Sequence, residues 1–449
     1  MSIGIATAWL GGCSEVRARV WRFVVAALPL LLLGPTSMIF SSGDTFRTLS
    51  THPLRWTVAH RVVLLPVIAI MSLAYLLFKG RRPLALRVPL LLYGAYVMLA
   101  AVSVAFSPNP GYSAFKVLEI SAAILAVCSV VKTLGTEQTL RTFLWVVFGL
   151  LVLVWVGVAV SPELGLAIEP FRDLPFPYWL NGWLIGIDGN TVGMMAAILL
   201  LSTSFLAGQW PRAARYAWIT VLAVTLVFAQ SRTSVVALAV GALLLQVGRP
   251  RRLVVRDFVL AAILLGVLLM FTNFDTIGNY VTKGMGWESE EVATFSGRLD
   301  QWVYALDQMK GHWLWGFGYA AGGRALLEDY GMQASSTLLN AYVDAAVSVG
   351  FLGPLLLAAA LIGGYLMAFR ARRTDTCARC ALALLGAMTV RSLTGPTFAI
   401  GLMEPALFAA LLLCLGDSSR SAEPVTPERL PDDVMGQAMP GSAVGSSST

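Results

Sequence analysis

Charge is scarce in this chain: 13% of its 449 residues are Asp, Glu, Lys or Arg, against 57% hydrophobic. With a mean hydropathy of +0.73, that excludes an ordinary soluble enzyme and describes a chain whose main solvent is lipid. Histidine is scarcer still, at three residues. There is no GxxxxGK[ST] loop to suggest an ATPase, and no 20–50 residue repeat. No charged segment precedes the first apolar residues, so no cleaved signal peptide is expected. The five cysteines are scattered at 13, 128, 377, 380 and 414. The single pair Cys377-Ala-Arg-Cys380 lacks a second pair or a nearby His, and all five read as small apolar helix residues.

What is abundant is apolar runs long enough to approach or span a bilayer. They lie near 20–40, 61–78, 88–106, 114–131, 140–160, 192–208, 216–230, 233–247, 257–274, 339–367, 377–390 and 398–415. The expected fold is all-α, a polytopic membrane protein of about 12 transmembrane helices. Its transmembrane domain spans 20–416, between a 1–19 N-terminus and a disordered Ser/Pro/Gly-rich tail at 417–449. Assigning alternate connections to opposite sides tests this: the N-terminal segment and five connections hold 19 Lys/Arg against 4 acids, and the other side 11 against 16. The positive-inside rule puts both termini in the cytoplasm. The net charge of +7 is therefore a topology signal, and no nucleic-acid partner is expected.

Polar chemistry collects in two outer connections, 161–191 and 275–338. A structureless connection of the second one's length is improbable in a compact protein, so it should carry helices of its own. Within it SGRLDQWVYALDQMKGHW places Leu299, Trp302, Val303 and Leu306 at helical spacing, an amphipathic helix expected at the outer interface with Trp302 as anchor. Arg298 stands at its start, where the helix dipole prefers an anion; guanidinium and amide ends together suit one bound anion. The glycines of WLWGFGYAAGGR, including Gly316 and Gly318, do not follow a strand in GxGxxG spacing, which rejects a dinucleotide loop. A tight turn remains, whose amides and Arg324 either approach a ligand or only close the turn. Trp179, Trp183, Trp287, Trp313 and Trp315 read as belt anchors, with stacking on sugar rings as the alternative.

Arg232 interrupts an apolar run from Tyr216 to Val247 that has basic connections at both ends. A single span would carry one basic end outward, so the run must go out and return. Two arms of about 15 residues reach only about 23 Å, short of a hydrocarbon core of about 30 Å. The turn Gln230-Ser231-Arg232-Thr233 is thus recessed, Ser231 caps the returning helix, and Arg232 sits on a cavity floor. An intramembrane charge is a functional hypothesis by default, and with no acid nearby in sequence the substrate is the candidate anion.

These residues resemble the O-antigen polymerase and O-antigen ligase superfamily. The resemblance covers roughly 180–370: Arg232 in QSRTS, Ser296-Gly297-Arg298 with a Trp four residues on, Gly316-Phe-Gly318, Asp188-Gly-Asn190 before span six, and Val349-Gly350-Phe351-Leu352-Gly353. It implies an inverting, metal-independent glycosyltransferase of the bacterial inner membrane, acting on glycans linked to undecaprenyl diphosphate at the periplasmic face. Donor and acceptor glycan lipids would be its partners, with membrane lipids and possible flippase and chain-length regulator proteins. Arg232 and Arg298 are then the catalytic cations, and Arg324, Asn190, Asn340, Gly316 and Gly318 bind substrate. No DxD pair occurs in the large loop, and Glu288-Ser-Glu290-Glu291 reads as solvated, so neither metal nor cofactor is expected. One departure is Leu339-Asn340, where ligases of the family carry His-Asn. It lowers the ligase reading and leaves the base open, with His312 and Asp344 as candidates. A polymerase of O-antigen or exopolysaccharide repeat units is the first reading and a ligase to lipid A-core or protein the second. A transporter is disfavoured because the span interiors hold little charge.

Overall fold

The computed structural model describes residues 21, 23–36, 56–79, 84, 86–168, 178–247, 298–331, 338–372 and 375–421. The expected span at 257–274, the 1–19 segment, Cys13, Ser296-Gly297, Trp287, the Glu288 cluster and the tail beyond 421 lie outside the described residues.

The architecture is a helical bundle. Its elements are α1 (Phe23–Thr36), α2 (Trp56–Ala74), α3 (Val88–Ser103), α4 (Pro110–Leu134), α5 (Thr136–Val160), a strand pair β1 (Leu166–Ile168) and β2 (Tyr178–Leu180), and α6 (Gly189–Leu201). They continue with α7 (Arg212–Phe228), α8 (Arg232–Gln246), α9 (Arg298–Gln308), α10 (Ala321–Asp329), α11 (Ala341–Val349), α12 (Leu352–Ala371), α13 (Thr376–Ser392) and α14 (Met403–Ser421). Among the described residues, five stretches are long and apolar enough to cross a membrane: His60–Phe78, Val88–Phe106, Pro110–Leu134, Thr136–Val160 and Leu352–Ala371. Phe23–Thr36, Gly189–Leu201 and Arg232–Gln246 are shorter apolar helices.

Local chemistry sets the helix starts. Asn109 accepts from the Tyr112 amide at 3.0 Å with Pro110 at the first helical position, and Asp188, Ser231, Asn340 and Asp375 cap α6, α8, α11 and α13 in the same way. Each cap satisfies amides that have no partner within their own helix.

Close approach is bought with small residues. A Cβ on Gly193 of α6 would lie 2.8 Å from the Ser231 Cβ at the start of α8. Further along, α8 lies against α13, where a Cβ on Gly241 would meet the Ala383 carbonyl at 2.9 Å. One continuous apolar core runs through the bundle, and a smaller one, including Ala305, Met309, Leu327, Leu338 and Val347, sits under α9, α10 and α11.

Several expectations need correction. The run 339–367 is not one span: Gly350, at φ +80°, breaks it into α11 and α12, and a Cβ there would strike the Leu314 carbonyl at 2.3 Å. The buried residues of α9 are Gln301 and Ala305, with Met309 just beyond its end, while Leu299 and Val303 are exposed. Trp302 donates to the Leu338 carbonyl at 2.5 Å, which anchors α9 to the protein. Trp183 likewise donates to the Gly157 carbonyl, whereas Trp313 and Trp315 are exposed. Connection 161–191 contains an antiparallel pair, with Ala167 opposite Trp179. Cys377 and Cys414 lie beside each other on neighbouring α13 and α14, and Cys128 and Cys380 are buried. The last helix runs to Ser421, past the expected boundary at 416.

Candidate functional site

The turn between α7 and α8 is enclosed. Gln230 adopts φ +46° and donates to the Tyr178 carbonyl of β2 at 3.1 Å. Ser231 is fully buried, its hydroxyl accepting from the Ser234 amide and lying 2.7 Å from the Ser234 hydroxyl. Thr233 meets Thr394 at 3.3 Å. Arg232, the first residue of α8, is half-buried between these roofs. The hairpin expected from charge is therefore present, and its tip is packed beneath β2 and the connection after α13.

Arg298 opens α9 and reaches the same connection, donating to the Thr394 carbonyl at 3.3 Å. Burial holds its guanidinium below the ordinary arginine range, the charges of Arg391 and then Arg232 push the same way, and Asp188 opposes them. Three guanidiniums from α8, α9 and α13 thus act on one locality. Arg391, only 8% exposed, faces Glu404 of α14 at 3.5 Å from its Nε. Three tyrosines pin the connection between α13 and α14: Tyr93 donates to the Phe398 carbonyl, and Tyr96 and Tyr319 to that of Ala399. Arg391 and Glu404 flank that clamped segment.

The sequence did not single out Arg391 or Glu404. The available signal was Arg391-Ser-Leu-Thr-Gly-Pro, a charge at the apolar edge of a span followed by a turn. What no pattern reveals is that α13 ends beside the α7–α8 turn.

The remaining predicted residues are distributed differently. Arg324, on α10, lies over the Tyr112 ring at 4.8 Å. Asp344 is 2% exposed on α11. Asn340 caps α11 and donates to the Leu393 carbonyl at 3.2 Å, tying that helix to the Arg298 neighbourhood. The Asn190 carbonyl accepts from Ser234 at 3.3 Å. Gly316 and Gly318 take φ +65° and +96°, and the amides of Phe317 and Gly318 donate to the Val347 and Ser348 carbonyls. Those amides close the turn onto α11. His312 is exposed and packs against Phe317 at 4.6 Å.

The arrangement can hold an anion. Arg232, Arg298 and Arg391 share this neighbourhood with the carboxylates of Asp188 and Glu404, the last 3.5 Å from Arg391. A guanidinium offers planar, bidentate donation that suits phosphate oxygens.

Comparison with known proteins gives one family. Residues 216–358 match the model described as O-Antigen ligase. The match contains Arg232, Arg298, Arg324, Asn340 and Asp344, and it excludes Arg391 and Glu404. No curated protein matches the chain.

Proposed function

We propose that this chain, whose residues 216–358 match the O-antigen ligase family, extends a polysaccharide by joining lipid-linked repeat units as an inverting, metal-independent transferase. The observation that carries this reading is that Arg298 and Thr233, the neighbour of Arg232, both bond Thr394, three residues after Arg391.

Glycosyl transfer from a lipid diphosphate breaks the bond between the anomeric carbon and a diphosphate oxygen. The electron pair leaves on the diphosphate, whose negative charge grows as the bond breaks. Fixed guanidiniums in a partly desolvated site stabilise that growing charge more than the ground state, which is the condition for catalysis. They supply what a divalent cation supplies elsewhere. The acceptor hydroxyl adds to the opposite face of the anomeric carbon, inverting it, and its proton passes to a base or to the departing diphosphate. Asp344 and His312 are the two side chains proposed for the first route.

In this reading Arg232 and Arg298 contact the diphosphate and Arg391 closes the cluster from α13. Charge placement supports a site at the periplasmic face with both termini in the cytoplasm. The polymerase reading is preferred to the ligase because Leu339 stands where the ligases carry histidine.

Deletion of the gene followed by gel analysis of the surface glycan separates the two. Loss of the chain-length ladder with single repeats still exported supports polymerisation; polymer accumulating on its lipid carrier would instead make the chain a ligase. Polymer formation by purified protein in EDTA supports the metal-free chemistry, and a strict requirement for Mg²⁺ or Mn²⁺ would refute it.

A further inference from the structure

A second group of charges lies on α2, α4, α10 and α11, which carry none of Arg232, Arg298 and Arg391. The Glu119 carboxylate accepts from both Arg61 and Lys116. Lys116 and Arg324 both lie over the Tyr112 ring, at 5.8 Å and 4.8 Å from its centre. Asp344 is in the field of Arg324.

Lys116 and Glu119 are six and nine residues into α4, about 9 and 13 Å along its axis at 1.5 Å per residue. Charges at that depth in a membrane bundle are costly and are kept for a partner. Here one carboxylate serves two cations. Counting Arg324 and Asp344, three cations face two carboxylates, a surplus of one positive charge among the described residues. Two polar atoms in the group are buried without a hydrogen-bond partner, Arg61 Nε and Asp344 Oδ2. Their residues are only 5% and 2% exposed. A phosphate oxygen would satisfy both the surplus and the orphaned Arg61 Nε–H, and a hydroxyl would satisfy the Asp344 oxygen. Arg324 is half-buried and forms the group's accessible edge.

We propose that this group is a second phosphate-binding site that takes the head of a second lipid-linked substrate, the acceptor, while Arg232, Arg298 and Arg391 hold the donor diphosphate. The proposal rests on the reading of the first group as the donor site. Two lipid diphosphates repel each other at close range, so a reaction that uses both needs two cationic seats. Arg61, Lys116 and Glu119 lie outside the family-matched segment, and Arg324 and Asp344 lie within it.

The test is the number of lipid diphosphates bound. Purified full-length protein in detergent is titrated with farnesyl diphosphate and read by native mass spectrometry. Wild type binds two equivalents, Arg324→Ala loses one, Arg298→Ala loses one, and the double variant binds none. Arg324→Lys keeps the charge but not the planar stacking on Tyr112, and it retains the second equivalent with about tenfold weaker affinity. It also serves as the folded control should Arg324→Ala elute as aggregate.

A single equivalent in wild type, lost in Arg298→Ala and kept in Arg324→Ala, overturns the second site and leaves the donor site standing. Binding unchanged in both variants overturns both. Inorganic diphosphate at equal concentration should displace neither equivalent; selective displacement of the second would assign that seat to a free phosphate and overturn the lipid assignment.

Discussion

The two charged groups differ in how they are built. The first is assembled from helix ends and connections: Arg232 at the first residue of α8, Arg298 at the first residue of α9, and Arg391 near the end of α13. Two of these arginines are half-buried and each comes from a different helix. The second is built within spans, with Arg61, Lys116 and Glu119 nine-tenths or more buried and directly bonded to one another. The first group brings like charges together from separate elements, with Glu404 beside Arg391, whereas a bonded cation–carboxylate–cation set holds its own geometry first. The first group is therefore the place to look for catalysis, and the second for a seat that must keep its shape.

That contrast can be broken by substitution. Arg298→Ala and Arg232→Ala should each reduce polymer formation by about 100-fold or more at normal protein levels, the scale seen when one oxyanion-stabilising donor is removed. Full activity in either variant would take that residue out of the mechanism.

Lys116→Met and Arg61→Met should act on stability. Removing one partner of a buried ion pair costs about 3–5 kcal/mol, which a detergent thermal melt reads as a lowered midpoint; the equivalent change at Arg298 should leave the melt nearly unmoved. A large melting shift at Arg298 and none at Lys116 would reverse the comparison.

Gly318→Ala should cost about 1–3 kcal/mol. Its φ is +96°, and a Cβ would lie 2.4 Å from the Ser107 Cα. A turn this tight fixes Tyr319, whose hydroxyl holds the connection next to Arg391. Asn340→Ala is the mildest change, about 1 kcal/mol for a lost cap, with a further loss of activity if the bond to Leu393 positions Arg298's neighbourhood. An unchanged melt would mean that Leu393 and the two capped amides find other partners.

Much of the fold was legible because lipid imposes strong rules. Most of the apolar runs reappear as helices among the described residues, and the bend at 230–233 followed from charge on either side of a 32-residue run. Legibility failed where tertiary packing overrode periodicity. The spacing of Leu299 and Val303 marks an outward apolar face, and it does not show that Gln301, Ala305 and the following Met309 pack against the core beneath the helix. Span 339–367 is uniformly apolar, and only the collision between Gly350 and Leu314 shows why it must break.

The site was legible in part for the same reason. Arg232 stands out against an apolar run, and Arg298 against the dipole of its helix. Arg61, Lys116 and Glu119 come from two different spans, and neither span's sequence shows that the other supplies its partner. Arg391 closes a span and was counted only as one more charge on its side of the membrane.

By itself the sequence determined that the chain is a helical membrane protein, where most helices begin, and that an arginine sits at an inward turn. Each follows from short-range physics: lipid excludes unpaired backbone, capping residues act on amides two or three positions away, and charge sorts across a bilayer. Only the tertiary structure decided that Arg391 joins Arg232 and Arg298, and that Arg324 faces Tyr112 instead. Those groupings join residues tens to hundreds of positions apart, and helix packing alone sets which charges share a field.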